Sequence, residues 1–139
     1  MIFEIEIPDT NDYPEITAVW EASVRATHHF LTEEDIQFFR PLILEEYLNA
    51  VDVYCARNDS GRISGFIGIA EDKVEMLFVD PAARGMGIGK SLMLYAINNK
   101  NIKTVDVNEQ NEQAVGFYLH LGFKVVGRSE VDAMGKPFP

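Results

Sequence analysis

The run Arg84-Gly85-Met86-Gly87-Ile88-Gly89-Lys90-Ser91 holds the residue types and spacing most able to do chemistry. Three glycines at alternate positions leave bare backbone, so a ligand can touch the main chain and the chain can take positive φ. The apolar run Leu77-Phe78-Val79 leads in and Asp80-Pro81 closes it, because proline has no N–H to give to a ladder. The helix-forming run Leu92-Met93-Leu94-Tyr95-Ala96-Ile97 follows. The order is strand, glycine loop, helix. Free N–H groups at a helix start, together with the helix dipole, attract an anion, most often a phosphate. Two familiar phosphate loops do not fit. A P-loop requires glycine where Arg84 stands, and a dinucleotide fingerprint requires glycine where Lys90 stands.

Other reactive residues are sparse. Three histidines and Cys55 lack ligand spacing, so no metal is expected. Cys55 sits alone in an apolar run and reads as a buried, inert thiol. The N-terminus alternates apolar and acidic residues, where a leader peptide would open with basic ones. No apolar run approaches the ~20 residues of a membrane helix. A reducing cytoplasm is the expected location. The net charge is −10 over 139 residues. Residues 1–75 carry 16 acids against 5 bases, a net −11, and residues 76–139 carry 6 against 7, a net +1. Nucleic acid is excluded as a partner, since phosphate contacts need clustered Lys and Arg. An acidic half beside a near-neutral half with an anion loop suits a cationic acceptor such as an amine.

The elements that must position these residues follow from periodicity. Residues 2–7 alternate as a strand. Asp9 to Asp12 supply turn and cap residues, and a helix is predicted from about Tyr13 to about His28, with Ile16, Val19, Trp20 and Val24 on one face. Thr32 and Asp35 form a capping box for a second helix running toward Leu48, with a kink or a split expected at Pro41. A meander of three strands is predicted over 52–57, 63–70 and 73–79. A third helix covers about 87–98 and a strand 104–107. Asn111 caps a fourth helix, 112–121, which Gly122 ends, and a last strand is predicted over 124–131. One α+β domain over 1–139 is expected, a mixed, mostly antiparallel sheet flanked by helices.

Arg84-Gly85-Met86-Gly87-Ile88-Gly89 matches the Arg/Gln-x-x-Gly-x-Gly/Ala signature of the GCN5-related N-acetyltransferases, or GNAT family. Leu77-Phe78-Val79-Asp80-Pro81 resembles that family's fourth strand. Asn111-Glu112-Gln113-Ala114 with Phe117-Tyr118 and Gly122-Phe123 resembles its Asn-x-x-Ala…Phe-Tyr-x-x-x-Gly-Phe block. The run 107–137, with residues 26–31, is similar to the bacterial YjaB subgroup. The resemblance implies a GNAT fold, with a bulge that splays two strands so that free backbone groups pair with the pantetheine arm of acetyl-CoA. The family's usual final strand has no counterpart, so an open edge, and with it lowered stability or a homodimer, is expected.

The same resemblance implies roles. Leu77, Phe78 and Val79 line the arm. Arg84, Gly85, Met86, Gly87, Ile88, Gly89 and Lys90 hold the pyrophosphate, chiefly through backbone amides. Asn111 caps its helix and bonds the arm. Tyr118 touches the cofactor and protonates the leaving thiolate. Glu75 is a candidate general base, directly or through water, and His28, His29 and Phe30 are placed on the acceptor wall. The implied function is acetyl transfer from acetyl-CoA to a primary amine, on a small molecule or a protein. The alternative is a non-catalytic acyl-CoA sensor or docking module on the same fold.

Overall fold

A computed structural model describes residues 4–105, 107 and 111–126. Five strands form one sheet in the order β1-β2-β3-β4-β5: β1 Glu4–Glu6, β2 Asp52–Arg57, β3 Ile63–Ala70, β4 Lys73–Val79 and β5 Thr104–Val105. Every pairing is antiparallel except β4 with β5. The β2–β3 hairpin is set by Asn58, whose Oδ1 accepts from the N–H groups of Ser60 and Arg62, and by Gly61 at φ +79°. Helices α1 Tyr13–Thr27 and α2 Glu33–Leu42 precede the meander, α3 Ile88–Lys100 follows the glycine loop, and α4 is Glu112–His120.

The sheet is buried on both faces. Ile16, Val19, Trp20 and Val24 of α1, with Ile36 and Ile43, pack on Val53, Ile63, Phe66 and Met76. On the opposite face Ile88, Leu92, Met93 and Ala96 of α3, with Tyr118 of α4, pack on Tyr54, Ile67, Ile69 and Val74. The i, i+3, i+4, i+8 stripe read in α1 is thus the stripe that is buried. The connection between α1 and α2 is fastened at both ends. Thr32 and Asp35 form the reciprocal capping box, each backbone N–H donating to the other's side chain at 3.1 Å. Arg25 donates to both carboxylate oxygens of Glu33, at 2.6 and 2.9 Å.

Two details differ from expectation. α2 continues through Pro41 to Leu42 and then widens into a π-turn over Ile43–Tyr47. Proline lacks the N–H that would bond the carbonyl four residues back, and the ladder is re-spaced just beyond it. Residues 124–126, expected to open a strand, are irregular, with Val125 and Val126 77% and 92% exposed. They have no ladder partner among the described residues, and a strand needs one. The rest of that expected strand, and the missing terminal strand inferred from the resemblance, lie outside the described residues.

Candidate active site

β4 carries a bulge that the sequence pattern hides. Gly68 pairs with Met76 and Ile69 pairs with Val74, leaving Glu75 as the extra residue. One inserted residue inverts the alternation beyond it. Val74 and Met76, two positions apart, accordingly sit in the cores on opposite faces. Among the described residues, β5 pairs with Lys73 and Val74. Beyond the bulge, Leu77 to Val79 bond β3 on one side and border a cleft on the other.

That cleft, about 280 Å³, is walled by Leu77, Phe78 and Val79 of β4, by Ala83 and the glycine loop with the first turn of α3, by Asn111, Gln113, Ala114, Phe117 and Tyr118 at α4, and by Ser23, Thr27 and His28 at the end of α1. Asp80 accepts from the Ala82 N–H at 2.9 Å and Pro81 follows, so β4 turns sharply into the loop. Gly85 and Gly87 both adopt φ +80°, and a Cβ built on either would meet nothing within 4 Å. Those positions are a backbone cradle facing open space, in a conformation L side chains rarely take. Gly87 caps α3 with no side-chain cap bond, and the first helical bond runs from the Ser91 N–H to the Gly87 carbonyl at 2.9 Å. The N–H groups of the first turn therefore have no partner within the helix.

The charged side chains lining the cleft are Arg84 and Lys90, and no Asp or Glu lines it among the described residues. A positive cleft in a molecule of net charge −10 is a local inversion that favours an anionic ligand. Arg84 also reaches across to α4, donating to Gln113 Oε1 at 3.3 Å. No group of three or more potential metal ligands occurs among the described residues.

α4 is placed by its cap. Asn111, buried at 9% exposure, accepts from the Ala114 N–H through Oδ1 at 3.1 Å. That fixes the phase of the helix and turns Tyr118, 7% exposed, onto the cleft. Phe117 and Phe123 stand edge-on to the Tyr118 ring, with centroids at 5.3 and 5.8 Å. Burial raises the Tyr118 phenol above its ordinary value, so it holds its proton throughout the neutral range.

At the opposite wall His28 rests between aromatic rings, 5.2 Å from Phe30 and 6.1 Å from Phe78 between centroids. Burial, with a smaller contribution from His29, lowers its pKa to about 4, so the imidazole is neutral. Its Nδ1 lies 2.8 Å from the Thr27 hydroxyl and its Nε2 lies 3.4 Å from Asn111 Nδ2.

Most of the residues expected at the site converge here: His28, Leu77, Phe78, Val79, Arg84, Gly85, Gly87, Ile88, Gly89, Lys90, Asn111 and Tyr118 all line one cleft. Four do not. Met86 points outward at 45% exposure. His29 is exposed and bonds the Ala26 carbonyl. Phe30 backs His28 without lining the cleft. Glu75, expected as the base, is the exposed bulge residue, 3.9 Å from the Lys73 ammonium and away from the lining. Ser23, Thr27, Gln113, Ala114 and Phe117 also line the cleft, beyond the residues expected from sequence. The available signals were a polar i, i+4 pair, Ser23 and Thr27, at the end of an apolar stripe, and helical spacing around Tyr118.

Comparison with known proteins bears on the family and the fold. The family model described as "Acetyltransferase (GNAT) domain" matches residues 26–138. The chain is 40% identical to the peptidyl-lysine N-acetyltransferase YjaB of Escherichia coli K12 over 139 residues, covering all of this chain and 94% of that protein. The solution structure of apo YjaB from Escherichia coli superposes with a TM-score of 0.91 at 40% identity, over 100% of this chain and 94% of that one. The crystal structure of PaiA N-acetyltransferase from Thermoplasma acidophilum in complex with coenzyme A superposes with a TM-score of 0.81 at 27% identity, over 93% and 94% of the two chains. These matches, over most or all of its length, show that this chain belongs to the GNAT family of acetyltransferases, whose acyl donor is acetyl-CoA.

Proposed function

We propose that the protein transfers an acetyl group from acetyl-CoA directly to a primary amine, the side-chain amino group of a lysine in a protein. The observation that carries the reading is a single cleft whose charged lining groups are Arg84 and Lys90, joined to a bare backbone cradle at one end and to a buried tyrosine at the other. A curated relative covering almost its full length is named a peptidyl-lysine N-acetyltransferase, which supports that acceptor class.

The residues fit the donor. The amides of Gly87, Ile88 and Gly89, with Arg84 and Lys90, would hold the diphosphate. The edge of Leu77–Val79 away from β3, which has no ladder partner among the described residues, would offer backbone groups to the amide-bearing arm, and the Val79 N–H would polarise a carbonyl. In the reaction the C–N bond forms as the C–S bond breaks, and the sulfur must gain a proton. Tyr118 is the general acid in this reading, because its phenol keeps its proton and stands on the cleft. No carboxylate lines the cleft among the described residues, so the amine is taken to lose its proton to water or on entry, and the reading gives Glu75 no part. A cytoplasmic location belongs to the same proposal, supported by the buried free thiol of Cys55.

A thiol-release assay with lysine-containing peptides and small amines tests this. Acetyl-CoA-dependent release of free thiol, with mass shifts on lysine, is the expected result. Tight cofactor uptake without turnover on any amine would favour the non-catalytic acyl-CoA sensor.

A further inference from the structure

We infer that His28 is a positioning residue of the transfer reaction: its bare Nε2 holds the Asn111 amide, tying the end of α1 on the acceptor side to the helix that carries Tyr118. This rests on the reading of the cleft as the acetyl-CoA site. The count of available protons fixes the tautomer. The Thr27 hydroxyl donates to the Ser23 carbonyl at 2.8 Å. A hydroxyl has one proton, so toward His28 Nδ1, also at 2.8 Å, it can only accept. At the other end the Ala114 N–H donates to Asn111 Oδ1, which orients the amide with its NH2 group toward His28. That nitrogen can only donate. Both ends therefore demand the same form of His28, with the proton on Nδ1 and a lone pair on Nε2.

The chain of bonds runs in one direction, from the Ala114 N–H and the Asn111 amide at α4 through His28 and Thr27 to the Ser23 carbonyl of α1. Among the described residues Asn111 has one further N–H and one further lone pair uncommitted, and it borders the cleft. Fixing its side-chain torsions presents those groups in one orientation to the amides of the donor arm. A neutral imidazole is required, and the burial of His28 against Phe30 and Phe78 keeps it so.

The test combines one spectroscopic and one thermodynamic readout on the full chain. Long-range 15N–1H correlation spectra at neutral pH are expected to assign His28 as the Nδ1–H tautomer. Calorimetric titration with coenzyme A is expected to give about tenfold weaker binding for His28→Leu, roughly the loss of one buried hydrogen bond. His28→Gln can accept from Asn111 through Oε1 and is expected to recover binding to within about threefold. Should His28→Leu fail to fold, Thr27→Val removes the hydroxyl at constant shape, and loss of the Nδ1–H signature with weaker coenzyme binding is expected there. An Nε2–H tautomer in the wild type, or equal affinities for the Leu and Gln variants beside a wild type that binds, overturns the inference alone. A wild type that takes up no coenzyme A overturns the cleft reading and this inference with it.

Discussion

Tyr118 is 7% exposed and borders the cleft. Such a phenol is a poor anion and a persistent proton holder. Replacing it with Phe removes one oxygen and leaves the ring packed between Phe117 and Phe123. Tyr118→Phe is expected to lower kcat by about tenfold or more, with acetyl-CoA affinity nearly unchanged. Steady-state kinetics beside calorimetry checks this, and an unchanged kcat removes Tyr118 from the chemistry. His28 makes a second prediction at this scale. Its pKa is lowered from 6.5 to about 4, so between those values the unfolded chain binds more protons than the folded one. Stability from this group is therefore complete above pH 6.5 and is lost as pH falls toward 4, by about 3 kcal/mol. Urea midpoints across that window are expected to fall less steeply for His28→Gln. Of these two residues, Tyr118 was legible through the motif that carries it. The environment of His28 was not, because its partners Asn111 and Phe78 lie far along the chain.

At the scale of elements, the helix and strand boundaries followed local chemistry. The capping box at Thr32 and Asp35, the Asn111 cap and the Asn58 hairpin are short-range hydrogen bonds written in residue type. The bulge at Glu75 belongs to another class. It becomes visible only when Met76 is seen facing α1 while Val74 faces α3, and that depends on the neighbouring strand. The consequence was the base assignment. Read as a regular strand, Glu75 belongs near the splay, whereas as the bulge residue it turns outward toward Lys73. Asn111 tests the coupling of cap to site. Asn111→Ala is expected to cost about 1 kcal/mol of stability through the lost cap, and also to weaken acetyl-CoA binding. Asn111→Asp keeps a cap acceptor but loses the donor toward His28, so it is expected to retain stability and still lose affinity. Thermal melts paired with titrations separate the two effects. Equal affinity for the Asp variant and the wild type would confine Asn111 to capping.

On the scale of the whole molecule, charge is divided by function. The first 75 residues carry a net −11, while the cleft presents Arg84 and Lys90. Some of the acidity is committed internally. Arg25 joins Glu21 to Glu33, Arg40 pairs with Glu21, and Arg57 pairs with Glu6 and Asp12. Glu34, exposed, and Asp35, partly exposed, in the first turn of α2 lie a few residues beyond His28, at the end of the cleft that the proposed function gives to the acceptor. A negative surface there attracts cations over roughly a Debye length, about 8–10 Å at physiological salt. Lysine peptides flanked by Lys or Arg are expected to show higher kcat/KM than peptides flanked by Asp or Glu, with the ratio shrinking as salt rises. A ratio independent of salt would place the preference in direct contacts. This division of charge was readable from composition, but only the fold places the positive groups in one cleft.

In the proposed function the bare backbone between Arg84 and Lys90 receives the diphosphate of coenzyme A, and every other role depends on that. Gly87 lies at φ +80° and a Cβ built there meets nothing within 4 Å, so Arg at this position strains the backbone locally and would project its side chain into the cradle. Titration of wild type and Gly87→Arg with coenzyme A, with circular dichroism to verify that both are folded, tests this most directly. One-to-one uptake by the wild type and none by the folded variant is the expected result, and equal uptake by both would contradict the account.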